Sequence, residues 1–93
     1  MLFRSLADGA LQGEVIMIDR FGNAVTNLVA LRGGTIDAAD RQIAVRHTYA
    51  EVAPDTPVAV VGSTGFVEVA VRDGNASRTL GLSRGSRVVL RTS

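Results

Sequence analysis

The run from Gly13 to Leu28 constrains the fold more than any other part of the chain. Two β-rich segments, Glu14–Ile18 and Ala24–Leu31, flank a tight Asp19-Arg20-Phe21-Gly22-Asn23 corner. In the first segment, alternation puts Val15 and Met17, with Asp19 following, on one strand face and Ile16 and Ile18 on the other. Gly22 supplies the backbone freedom a sharp turn needs. Asn23 tolerates unusual backbone angles and carries both a donor and an acceptor. Thr26 and Asn27 place further polar groups inside an apolar run. Two readings of the corner stand: a polar hairpin plugged by an aromatic ring, or the wall of a small-molecule site.

The remaining sequence carries the same strand-rich pattern. Arg41–Val45 alternates apolar and polar, and Tyr49–Val52 is read as its continuation. Val58–Val61 is a continuous apolar run, as expected of a strand buried on both faces. Phe66–Val71 alternates again before the turn signal Asp73-Gly74, and Val88–Arg91 closes the chain. Gly33-Gly34 and Pro54-Asp55-Thr56-Pro57 are breaks, and Thr35–Asp40 reads as polar and turn-like. Helix signals are confined to Asn75–Leu80, with Asn75 as N-cap, and to Leu2–Leu11, a frayed helix or lead-in. The pattern predicts one all-β domain over residues 1–93: a small, Greek-key-like barrel of six or seven short strands with at most a short helical turn.

Ninety-three residues support one modest core. A hydrophobic content of 46% against 20% charged residues makes it a folded globule. The net charge of +1 gives no electrostatic case for nucleic acid or an acidic membrane. Three Phe and one Tyr supply no stacking platform for single strands. With no cysteine, disulfides and thiolate metal sites are excluded, and no acidic pair or histidine cluster has metal-ligand spacing. No apolar run approaches the ~20 residues of a membrane span. The polar start of the chain is unlike a signal peptide, so a cytoplasmic location is expected.

The Ile18-Asp19-Arg20-Phe21-Gly22-Asn23 run, followed by Val25-Thr26-Asn27, resembles the C-terminal domain of the S-adenosylmethionine (SAM) hydroxide adenosyltransferases. These are SAM hydrolases, relatives of the SAM-dependent chlorinases and fluorinases. Thr48-Tyr49-Ala50-Glu51 resembles a second family segment, and Ser63-Thr64-Gly65-Phe66-Val67-Glu68-Val69-Ala70 a third. Gly74-Asn75-Ala76, Leu80-Gly81-Leu82 and Gly85-Ser86-Arg87-Val88 resemble its closing motifs. The collinear set extends from about Gly13 to Leu90.

The resemblance implies a small β-barrel and a set of pocket residues. Asp19 would face the methionine ammonium, with the Phe21 ring and the Asn23 carboxamide against the adenosyl part. This suits the chemistry, because an ammonium wants a carboxylate, adenine a π-face and its edge an amide. Tyr49 would stack on adenine or, alternatively, serve as a core aromatic. Ser63 would meet the methionine carboxylate, helped by backbone N–H groups around Thr64, unless the segment is an ordinary hairpin turn. Asn75 and Ala76 would meet the adenine edge through backbone groups. Family members often have Asn before the serine, where this chain has Gly62. Glu68 reads as a solvated strand residue, and His47, the lone histidine, as a structural or surface residue.

The family's water-activating Asp, Arg and His residues lie in a larger N-terminal α/β domain that is not among these residues. Its members tend to form trimers, with SAM between the N-terminal domain of one subunit and the C-terminal domain of the next. The expected function is therefore one half of a composite site: pocket walls for SAM or adenosine, with no resident cofactor, no metal and no catalytic residue. The expected partners are a separately encoded N-terminal domain and further copies of this chain. The alternative is a stand-alone nucleoside-binding or structural, oligomerising barrel without catalysis.

Overall fold

The computed structural model describes residues 4–6, 9–30 and 33–91. Eight strands run β1 (Arg4–Ser5), β2 (Leu11–Ile18), β3 (Ala24–Thr26), β4 (Thr35–Ala38), β5 (Arg41–Arg46), β6 (Pro57–Val61), β7 (Val67–Val71) and β8 (Arg87–Arg91). A 3-10 turn (Tyr49–Glu51) precedes β6, and the helix α1 (Ala76–Leu80) precedes β8. Hydrogen bonding follows the order β2-β3-β7-β6-β5-β4-β8, and β8 pairs back onto β2. Seven strands thus close a barrel, and closure removes the exposed edges of an open sheet. All pairings are antiparallel except β5–β6. β1 pairs with the start of β2.

The barrel interior follows from strand alternation, with one correction in β2: a register shift between Val15 and Met17 puts Val15 in the core and leaves Met17 exposed on the outward face, so the two do not share the face that simple alternation predicts. Val15, Ala24, Ile36, Ile43, Ala59, Val67, Val69, Val88 and Leu90 point inward and are at most 3% exposed. Leu28 and, from α1, Ala76 and Leu80 complete this core. β6 is buried on both faces, as its apolar run predicts. Ala59 joins the interior, while Val58 and Val60 form a second cluster outside the barrel with Ala70 and Val52. The excursion between β5 and β6 carries Val52 over that outer face. It also lets β6 run parallel to β5, which a tight hairpin could not do.

Several local expectations are revised. Ala24–Leu31 shortens to a strand over Ala24–Thr26. The buried Thr26 hydroxyl donates to the Val67 carbonyl at 2.7 Å and accepts from the Leu28 amide at 3.1 Å. That local bond replaces a ladder bond and turns the chain. Leu31 lies outside the described residues. Thr35–Asp40 is a strand followed by a two-residue turn: Ile36 and Ala38 face inward, and Ala39 and Asp40 have φ of 51° and 61°. Two consecutive positive φ values match the twist of a tight hairpin. Tyr49–Val52 does not continue β5; its first three residues form the 3-10 turn. Of the Leu2–Leu11 segment, Leu2, Phe3, Ala7 and Asp8 lie outside the described residues, and Arg4–Ser5 is strand. The Asn75 cap is as expected, its Oδ1 accepting from the Arg78 amide at 2.9 Å.

Candidate functional site

The barrel's outer face carries a cleft of about 730 Å³, within the size range of small-molecule sites. Strand register explains how Glu68 and Ala70 come to line it beside Asp19 and Asn23. Met17, Val25, Glu68 and Val60 are successive cross-strand partners on the outward face of β2, β3, β7 and β6. One step along lie Asp19, Asn23 and Ala70. Three segments build the walls: the 19–23 corner, the 48–51 turn and the 62–66 turn. Asp19, Phe21, Asn23 and Ser63 all line this one concavity, although Ser63 is far from the corner in sequence.

The corner is held by its own polar groups. Asp19 Oδ1 accepts from the amides of Phe21 (2.9 Å) and Asn23 (3.0 Å), and Oδ2 accepts from Asn23 Nδ2 (3.2 Å). Backbone bonds from Gly22 N to Asp19 O and from Asp19 N to Asn23 O, each 3.0 Å, complete the turn. Gly22 has φ of 84° and packs so closely on the Asn75 side chain that a Cβ would overlap the carboxamide. Its carbonyl accepts from the Ser77 amide at 2.8 Å, docking the corner on the start of α1. Phe21 is left 64% exposed, with the Arg20 guanidinium 5.2 Å from its ring centre.

The opposite wall is equally local in origin. Glu51 Oε2 accepts from the amides of His47 (2.5 Å) and Thr48 (2.9 Å), closing the turn. These amides, Thr48's first, hold the Glu51 carboxyl below its ordinary range. Thr48 and Ala50 line the cleft. Tyr49 sits between them in the 3-10 turn, but its side chain lies outside what the structure describes. Ser63 and Thr64 occupy the β6–β7 turn, where Thr64 Oγ1 accepts from the Phe66 amide at 3.4 Å; Ser63 lines the cleft. Asn75 and Ala76 lie behind the corner: Asn75 caps α1, and the Ala76 side chain is in the barrel core.

Glu68 departs from the solvated reading. It is half-buried on the cleft floor, and its carboxylate lies against Gly62, where a Cβ would collide with it. Burial, and secondarily the Asp19 charge, push its carboxyl above the ordinary value. Arg72 was also missed as a lining residue; it anchors the 52–54 loop by donating from Nη1 to the Val52 carbonyl at 2.5 Å. Period-2 alternation from Glu68 through Ala70 to Arg72 was the available signal, because it places all three on one strand face. Among the described residues, no group of three or more His, Cys, Asp or Glu side chains has metal-binding geometry. No described helix is long and apolar enough to cross a membrane.

Comparison with known proteins places this architecture. The chain is 48% identical to an (R)-S-adenosyl-L-methionine hydrolase from Thermus thermophilus, over 85% of this chain and 31% of the relative. It is 39% identical to one of the same name from Salinispora tropica, over 94% of this chain and 34% of that relative. It thus spans about a third of the length of the curated relatives it matches. A crystal structure of a conserved hypothetical protein from Thermus thermophilus superposes with a TM-score of 0.82 at 47% identity, covering 86% of this chain and 34% of that one. An uncharacterised conserved protein from Thermotoga maritima shares the fold, with a TM-score of 0.73 at 22% identity, covering 87% of this chain and 35% of that one. The family profile of the SAM hydroxide adenosyltransferase C-terminal domain matches residues 13–89, and the chain belongs to that family.

Proposed function

We propose that this chain is the adenosyl-binding wall of a SAM hydrolase-like enzyme, completed by an N-terminal α/β domain. The observation that carries the reading is the convergence of Asp19, Phe21, Asn23 and Ser63 on one cleft from two distant turns. In this reading Asp19 takes the ligand ammonium, Phe21 and Asn23 the adenosyl part, and Ser63 with the Thr64 backbone the methionine carboxylate. Tyr49 stacks on the base, and the Asn75–Ala76 backbone borders its edge. The completed enzyme adds water at the ribose C5′ and breaks the C5′–S bond. The bonding pair goes to sulfur, the water loses a proton, and adenosine and methionine leave. The activating base belongs to the other domain, which assembles with this one, in a trimer by family analogy.

A thermal-shift series with adenosine, SAM and methionine tests the binding reading. Ligand at a hundred times its Kd stabilises a native site by about 2.7 kcal/mol. Adenosine and SAM should raise the melting temperature, and Asn23→Ala should weaken adenosine about 5- to 150-fold by losing a polar partner. The isolated chain should release no adenosine from SAM, and steady turnover would refute the division of labour. One observation favours a structural module instead: both Asp19 oxygens already serve the turn. Saturating adenosine and SAM that leave the melting temperature unmoved would decide for that reading.

A further inference from the structure

We propose that Glu68 is the charge-selecting residue of the cleft, acting beside Asp19 to favour a ligand with a cationic amino-acid end over an uncharged nucleoside. This rests on the adenosyl-binding reading and adds to it a residue and a specificity. Glu68 lines the cleft together with Asp19 of the corner and Ser63 of the turn, and feels the Asp19 charge. Its side chain is half-buried, yet among the described residues no hydrogen bond or ion pair engages its carboxylate. Asp19, in contrast, spends both oxygens on its own turn. A partly desolvated carboxylate without a protein partner lacks the compensation that burial of charge requires. A ligand ammonium or sulfonium would supply it. An uncharged nucleoside would leave the Glu68 charge without a partner.

Gly62 is the second part of the device. The Glu68 carboxylate rests where any side chain at position 62 would begin. Glycine there is needed for space, since Gly62 has no positive φ. The pair Gly62 and Glu68 therefore sets where the negative charge sits. The other charged groups lining the cleft are Arg72, tied to the Val52 carbonyl, and the exposed Asp73 at the far end of β7.

The test is isothermal titration of the chain with SAM, adenosine and 5′-methylthioadenosine, which lacks both the ammonium and the sulfonium. Wild type should prefer SAM over either neutral ligand. Glu68→Gln keeps the shape and removes the charge, and should cut the SAM-to-adenosine affinity ratio about two- to fivefold. Gly62→Ala keeps the charge but displaces the carboxylate, and should reduce the same ratio while the domain stays folded. A ratio unchanged in both variants overturns the proposal, as does an equal loss for all three ligands. If wild type binds neither adenosine nor SAM, the adenosyl-binding reading itself has failed, and the role of Glu68 falls with it.

Discussion

Gly22→Ala tests how the corner is held. Gly22 has φ of 84°, in a region where an L side chain costs about 1–2 kcal/mol. The new methyl group would also overlap the Asn75 carboxamide, which caps α1. Displacing an N-cap costs about 0.5–2 kcal/mol. The two costs together come to about 1.5–4 kcal/mol, which for a domain this size lowers the melting temperature by about 6–30 °C. Gly65→Ala is the internal control. Gly65 has a similar φ of 90° but open space around its Cβ position, so it should show only the backbone cost of about 1–2 kcal/mol. Urea and thermal unfolding of both variants, followed by circular dichroism, give the difference directly. If Gly22→Ala destabilises no more than Gly65→Ala, the corner does not lean on the helix cap, and the account of how Phe21 and Asn23 are positioned is wrong.

The remaining predictions are more local. Thr26→Val is nearly isosteric but orphans the Val67 carbonyl and the Leu28 amide, so it should cost about 1–3 kcal/mol in chemical denaturation; a neutral effect would deny the hydroxyl its role. Glu68 has a carboxyl raised from 4.5, first by burial and then by Asp19, so its folded form favours the proton. Stability attributable to it is fully present below pH 4.5 and is lost as pH rises through the raised folded value. Glu68→Gln should therefore melt above wild type near neutral pH, with the gap closing in acid; a pH-independent gap would contradict this. Glu51 has the opposite sign. Its carboxyl is lowered from 4.5 by the Thr48 and His47 amides, so its contribution is present above pH 4.5 and is lost as pH falls through the lowered folded value. The advantage of wild type over Glu51→Gln should shrink on acidification, and an advantage that grows in acid would refute it.

The amino-acid sequence alone determined the all-β class, the hairpin corner, the doubly buried β6 and the Asn75 cap. Each rests on interactions within a few residues or on the period-2 alternation of one strand, so each can be read locally. The collinear motifs also identified the family. Tertiary structure decided the rest. Thr35–Asp40 reads as polar and turn-like, and only pairing with β5 and β8 makes its first four residues a barrel strand. The end of β3 depends on a hydroxyl bond to Val67, a partner 41 residues away. Glu68 looked like a solvated strand residue; its burial comes from the corner, the 62–66 turn and the floor meeting around it. No local signal reports a carboxylate that packs on Gly62 and feels the Asp19 charge, because the corner, the 62–66 turn and β7 meet only in the folded barrel. The cleft itself has the same origin: the corner and the two turns are local structures, but barrel closure and cross-strand register set the distance between them.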